Sequence, residues 1–168
     1  MDPHHGQLEN QYDEQGDIHS LGFSDREPSE DFVRSSELVK IVDGDTLRLR
    51  IDLGWSASIV EDVRLAGVNT PENRGPERSA GLWVTEQVKR WFYDAGVGPV
   101  LIRSKLFKLG KWGRCICEVW HAGKSLNRWL IEQSYGWQAD EHGTLTVPRD
   151  IGLINVPEEI KRQVRQSQ

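Results

Sequence analysis

Apolar and polar residues alternate along residues 47–53, and this alternation predicts a strand. Leu47, Leu49, Ile51 and Leu53 are expected to point to one face, while the charged residues between them point to the other. Such a pattern is typical of a half-buried strand, because successive side chains of a strand lie on opposite faces. Apolar runs at residues 38–42 and 58–68 predict one strand before it and one after it. The three strands are expected to form a meander.

A helical pattern follows the third strand. Between Pro76 and Gly96 the apolar residues recur at the spacing of one helix face, namely Ala80, Val84, Val88, Trp91 and Phe92. Proline suits the first turn of a helix and glycine suits its C-terminal end. This segment therefore predicts one amphipathic helix.

The second half of the chain carries weaker signals. Residues 99–105 and 114–120 predict two short strands, and a second helix is expected to follow and to end at Gly136. Beyond residue 140, residues 144–148 suggest a strand and residues 157–166 suggest a terminal helix. Five strands with a helix after the third predict an α+β protein. Its expected form is a five-stranded oligonucleotide/oligosaccharide-binding (OB) barrel with two or three packed helices, a class that commonly binds nucleic acid.

Charge is distributed unevenly over the 168 residues. Residues 1–36 hold nine acids and two bases, a net charge of −7, whereas residues 37–168 hold seventeen acids and nineteen bases, a net charge of +2. The acidic part has few strongly apolar residues, so it is expected to be disordered alone or to order on a partner protein. We therefore expect an acidic arm (residues 1–36), an OB domain (residues 37–140) and a C-terminal extension with a short helix (residues 141–168).

No apolar run approaches the roughly 18 residues that a membrane-spanning helix needs. The first twenty residues also lack the basic and apolar regions of a signal peptide. A cytoplasmic protein without a membrane partner is the expectation from these features.

Several charged residues could carry chemistry. Asp43 and Asp45 flank Gly44, and on this dipeptide alone the better interpretation is a tight turn in which Asp-Gly supplies left-handed backbone. Arg64, the segment "NTPE" (residues 69–72) and Arg114 add two guanidinium groups, a carboxylate and further oxygens. Phosphodiester hydrolysis needs such groups, since its transition state gathers negative charge and its water must be oriented.

These residues resemble the staphylococcal nuclease-like, or thermonuclease, family. The resemblance covers residues 38–138 and rests on "VDGDT", "VRL" followed by "VNTPE", "GKWGR" and "GKSLNRWLIEQ". It implies an OB barrel and calcium-dependent cleavage of DNA and RNA that leaves 3′-phosphate ends. By this resemblance Asp45 is a calcium ligand, Thr70 supplies a backbone carbonyl ligand, and Asp43 is a supporting acid nearby. Glu72 is the general base or water-orienting group. Arg64 and Arg114 bind the phosphate.

Asn69 departs from the best-known members of this family, which have a second calcium-binding aspartate at this position. An asparagine keeps a carbonyl oxygen but carries no charge, so the resemblance implies a weaker calcium site at Asn69. Asparagine here is typical of phage-encoded members, which makes a virion-associated protein an alternative to a cytoplasmic one. Magnesium or manganese could substitute for calcium.

A basic segment joins the last two predicted strands. Lys105, Lys108 and Lys111 suit a patch that follows a nucleic-acid backbone, although an ordinary solvated loop is an equal alternative. Trp112 stands where the family has a stacking tyrosine and offers a face for a base.

Two hypotheses follow. The first is a metal-dependent endonuclease that acts on single- or double-stranded DNA and on RNA with little sequence specificity. The second is a catalytically weak or inactive OB module that binds nucleic acid, or that forms a structural subunit of a larger assembly and docks through residues 1–36.

Overall fold

The computed structural model of the protein describes residues 31–109, 115–140 and 143–167, with the backbone alone for residues 31–32 and 105–109. Its strands, in chain order, are β1 (Asp31–Asp43), β2 (Thr46–Gly54), β3 (Ala57–Leu65), β4 (Val68–Asn69), β5 (Val100–Leu109), β6 (Cys115–His121), β7 (Lys124–Ser125) and β8 (Trp137–Gln138). Its helices are α1 (Arg78–Ala95), α2 (Leu126–Glu132) and α3 (Glu158–Gln166), with 3-10 turns at Gly75–Glu77 and Ile151–Leu153. Most of the predicted acidic arm, residues 1–30, lies outside the described residues.

Five of the strands close into a barrel. The main sheet has the order β3-β2-β1-β5-β6-β7, and the parallel pairing of β3 with β6 joins its two sides. All other neighbours in this sheet are antiparallel. The fold is a mixed five-stranded barrel, compatible with the OB class, with β7 as an extra strand and three helices. The α+β class predicted from the sequence is confirmed.

Strand β1 is much longer than the predicted residues 38–42. Its first half pairs with β5 and its second half with β2, and Ser36 has a partner on both sides. Register irregularities after Leu38 and Ile41 bend the strand, which lets one strand serve two neighbours around a closed barrel. Sequence reasoning missed the first half because its polar residues show no clean alternation.

The predicted inward face of β2 is correct for three of its four residues. Leu47 and Leu49 are fully buried and Ile51 nearly so, but Leu53 is 38% exposed. The hairpin of β2 and β3 extends past the barrel end at this point, and the first five residues of β3 are exposed as well. The alternation sets the face of a side chain, whereas the length of the barrel decides whether that face is covered.

Helix α1 covers the core with the face predicted for it. Ala80, Val84, Val88, Trp91 and Phe92 are all buried. The helix ends at Ala95, and Gly96, whose φ of 78° is left-handed, caps it as the sequence predicts. The second helix, however, ends at Glu132 rather than at Gly136. The left-handed residue after it is Ser134, with φ 55°.

The C-terminal extension belongs to the same core as the barrel. Ile151, Ile154, Val156 and Val164 are buried in the single apolar cluster, and α3 packs on α1. The predicted terminal helix is present as α3, whereas the suggested strand at residues 144–148 is reduced to one bridge between Ala139 and Leu145. Among the described residues, no helix is long and apolar enough to cross a membrane.

Candidate active site

The turn between β1 and β2 places a buried carboxylate at the end of the barrel. Asp45 Oδ1 accepts a hydrogen bond from Arg64 Nη1 at 2.8 Å and one from Thr46 Oγ1 at 3.2 Å. Asp45 Oδ2 accepts from the backbone N–H of Thr70 at 2.7 Å. The N–H of Asp45 itself donates to Asp43 Oδ1 at 3.2 Å. Strands β2 and β3 and the loop after β4 therefore meet at this carboxyl group, and β1 contacts the backbone of the same residue.

Burial dominates the electrostatics of this carboxyl group. It raises the pKa of Asp45 to about 7; the Arg64 guanidinium and the Thr70 N–H oppose the rise, while the neighbouring Asp43 adds to it. The side chain of Asp45 is 3% exposed and that of Arg64 is 17% exposed. A further positive charge beside Asp45 would favour its ionised form.

The segment from Val68 to Asn73 passes beside this carboxylate and contacts it through the N–H of Thr70. Strand β4 pairs with β8, which opposes Asn69 to Trp137 and fixes where the segment begins. Asn69 is 9% exposed and Thr70 is 2% exposed, while Glu72 is half-buried. At its far end, Asn73 Nδ2 donates to the carbonyl of Val42 at 3.1 Å. The segment is thus held at both ends, and it ends before the short 3-10 turn that leads into α1.

Three glycines let neighbouring elements approach this segment closely. A Cβ on Gly44 would lie 2.7 Å from Thr70 Oγ1, one on Gly81 would lie 2.3 Å from the carbonyl oxygen of Glu72, and one on Gly136 would lie 2.7 Å from Val68 Cγ2. None of the three has a left-handed φ. The sequence interpretation of Gly44 as a source of left-handed backbone is therefore wrong, since this glycine provides space instead.

Arg149, which sequence reasoning missed, also reaches the site. Its Nη1 donates to Asn69 Oδ1 at 3.1 Å, and its Nε and Nη2 donate to the two carboxylate oxygens of Glu77 at 2.8 and 2.7 Å. Its guanidinium carbon lies 4.7 Å from the centre of the Trp137 ring. Glu77 in turn accepts from the N–H of Glu72 at 3.1 Å. A lone arginine in a segment of weak signal gave no hint of this position.

The predicted residues fall into three groups. Asp43, Asp45, Arg64 and Thr70 are joined by direct hydrogen bonds. Asn69 and the backbone of Glu72 are linked to each other through Arg149 and Glu77. For the third group the structure describes no side chain. Arg114, Lys111 and Trp112 lie outside the described residues, and Lys105 and Lys108 in β5 are described by their backbone alone.

Hard oxygen donors are the ligands that calcium takes, and the site offers them in the Asp45 carboxylate and the Asn69 amide. Within residues 31–109, 115–140 and 143–167, no three His, Cys, Asp or Glu side chains cluster closely enough to hold a metal ion. The donor types fit a calcium ion, provided that amide or backbone carbonyl oxygens complete the set.

No model of a known protein family matches the chain, and a search of curated proteins gives no significant match. The likeness to the nucleases rests on the quoted motifs.

Proposed function

We propose that this protein is a metal-dependent phosphodiesterase that hydrolyses DNA and RNA with little sequence specificity. The observation that carries the proposal is the pair formed by Arg64 and Asp45, at 2.8 Å, in a site where both side chains are largely withdrawn from solvent. An arginine held in this way is oriented before any ligand arrives, and its pairing with Asp45 uses only one of its five N–H donors. The remaining N–H donors of the planar guanidinium match the oxygens of a phosphate group in geometry and charge.

Glu72 is half-buried and lies two residues after Thr70. It supplies the second group that the reaction needs, a carboxylate that can orient water. In the proposed reaction its carboxylate orients a water and accepts its proton as the water oxygen bonds to phosphorus. The bond from phosphorus to the 5′-oxygen breaks and this oxygen takes a proton from solvent water, which leaves a 3′-phosphate and a 5′-hydroxyl. Arg64 donates to the phosphoryl oxygens, and by the family resemblance Arg114 does the same. Calcium bound by the oxygens of Asp45, Asn69 and Thr70 would supply further positive charge.

The test is cleavage of single-stranded DNA, double-stranded DNA and RNA with calcium, magnesium, manganese or a chelator. We expect cleavage only with a divalent cation. Glu72→Gln should lower the rate by about 10² to 10⁴-fold, which is the usual effect of losing a general base. Arg64→Ala should lower it by about 10² to 10³-fold, as for the loss of one oriented donor to a charged transition state.

Arg48→Ala is a matched control for Arg64→Ala. Arg48 also lies on the barrel and pairs with an aspartate, Asp62, at 2.7 Å, but its side chain is 46% exposed. We expect its removal to leave cleavage unchanged. Because Arg64→Ala unpairs a buried carboxylate, the melting temperature of each variant must be measured, with Arg64→Lys as a milder variant that keeps the charge. Calcium-dependent cleavage that is unchanged in Glu72→Gln and in both Arg64 variants would reject the proposal.

A catalytically inactive OB module that binds nucleic acid is the second candidate. One observation favours it, since the oxygen of Asn69 already accepts a hydrogen bond from Arg149. This candidate predicts retained binding of single-stranded DNA with no cleavage under any of the three cations.

A further inference from the structure

Arg149 brings a permanent positive charge to the place where the resemblance implies a cation. It lies beyond the segment that resembles the nucleases, so its position follows from the fold of this chain. The side chain is 33% exposed, which is low for an arginine, and its partner Glu77 is 17% exposed. The bidentate contact with Glu77 and the stacking on Trp137 fix the guanidinium in one orientation.

The hydrogen bond from Arg149 to Asn69 shows that the guanidinium faces the site, and the surrounding charges agree with this position. The hydrogen bond to Glu77 contributes most to the raised pKa of Arg149, burial opposes it, and the charges of Glu77, Glu72 and Asp45 add to it. The guanidinium therefore lies within the electrostatic field of the two carboxylates to which the proposed function assigns catalytic and ligand roles. It also donates to the amide oxygen of Asn69 at 3.1 Å.

A neutral amide oxygen that accepts from a guanidinium is a poor ligand for a second cation, because it has no negative charge of its own to offset the repulsion. The two positive charges repel each other, and the hydrogen bond from Arg149 occupies one of the two lone pairs of the oxygen. Asn69 and Arg149 thus both make the site less negative. Asn69 is neutral where the best-known nucleases have an aspartate, and Arg149 adds a positive charge.

We propose that Arg149 is a fixed cation of the candidate active site, which engages the Asn69 oxygen and lowers the affinity of the site for divalent cations. The inference rests on the proposed function in one respect, namely that Asp45 and Asn69 are the cation-binding oxygens. It assigns to Arg149 the control of metal affinity, in addition to holding the segment that carries Glu72.

The test is a calorimetric calcium titration of the wild type, Arg149→Gln, Asn69→Asp and the double variant, without substrate. Arg149→Gln should bind calcium more tightly. Asn69→Asp alone should bring little gain, because the new carboxylate pairs with Arg149. In the double variant this carboxylate becomes available, so its affinity should exceed the product of the two single effects by about tenfold or more.

Two further variants separate charge from structure. Arg149→Lys keeps the positive charge but loses the paired N–H donors that bind Glu77. This variant should bind calcium as weakly as the wild type. Arg103→Gln is the matched control, since Arg103 makes the same two kinds of contact, with Glu118 at 2.6 Å and with the ring of Trp120 at 5.1 Å. It should leave calcium affinity unchanged. Melting temperatures and circular dichroism show which variants are folded.

Several results would overturn the inference. They are unchanged or weaker calcium binding in folded Arg149→Gln, tighter binding in Arg149→Lys, additive effects in the double variant, or no calcium binding in any variant. The proposed function is judged separately, by cleavage. The expected binding pattern without cleavage would reject the nuclease and leave this inference intact, whereas cleavage without the pattern would reject this inference alone.

Discussion

Replacing Gly81 with alanine tests whether the contact between α1 and the segment of Glu72 matters for the site. The new Cβ would lie 2.3 Å from the carbonyl oxygen of Glu72, 2.4 Å from its carbonyl carbon and 2.7 Å from the oxygen of Pro71. All three are backbone atoms, so no side-chain rotation relieves the clash. Since ordinary contacts begin at 3.4 Å, the helix and the segment must separate by about 1 Å.

Two effects on stability oppose each other in Gly81→Ala. Alanine in a helix interior is favoured over glycine by about 1 kcal/mol, whereas overpacking a close contact costs about 1 to 3 kcal/mol. We expect a net destabilisation of about 0 to 2 kcal/mol, which lowers the melting temperature by at most about 8 °C for a chain of this size. The effect on the site should be larger, because a misplacement of about 1 Å can lower a catalytic rate about 100-fold.

The assay is the value of kcat/KM for single-stranded DNA, measured together with the melting temperature. Gly98→Ala is the control, since a Cβ there would make an ordinary 3.5 Å contact with His121 and Gly98 has no left-handed φ. It should leave both quantities unchanged. A Gly81→Ala variant with full activity and a higher melting temperature would refute the reasoning, because helix propensity would then be the only effect.

Two further predictions concern stability. Asn127 is buried, accepts from the N–H of Val119 at 2.9 Å and donates to the carbonyl of Ala66 at 2.8 Å. Asn127→Leu should therefore destabilise the protein by about 2 to 5 kcal/mol in urea unfolding, and a loss below 1 kcal/mol would contradict the role of these bonds. Burial raises the pKa of Glu77, but hydrogen bonds from Arg149 and from a backbone N–H outweigh it and lower the pKa below 4.5. Its stabilisation is thus present above pH 4.5 and lost as the pH falls through the lowered pKa, so the melting temperatures of the wild type and Glu77→Gln should differ at about pH 7 and converge as the pH falls well below 4.5. A difference that is independent of pH would contradict the ion pair.

Local sequence patterns determined the parts of the barrel. The alternation in β2 and the helical spacing in α1 depend only on which neighbours share a face, so both buried faces were predictable. The motifs also pointed to Asp45, Arg64 and Thr70, whose hydrogen bonds the structure describes. Their chemical roles remain predictions.

Only the tertiary structure decided which contacts these strands and helices make with the rest of the chain. Whether Leu53 is covered depends on where the barrel ends, and the double pairing of β1 depends on a bend that no short pattern encodes. Gly81 and Gly136 provide space for a segment at least nine residues away in sequence, so neither glycine could be interpreted from its own neighbours. Arg149 reaches Asn69 across 80 residues because β8 and the segment after it fold back along β4. Sequence patterns report a residue's local surroundings, whereas the charge beside Asn69 comes from a distant part of the chain and exists only in the folded protein.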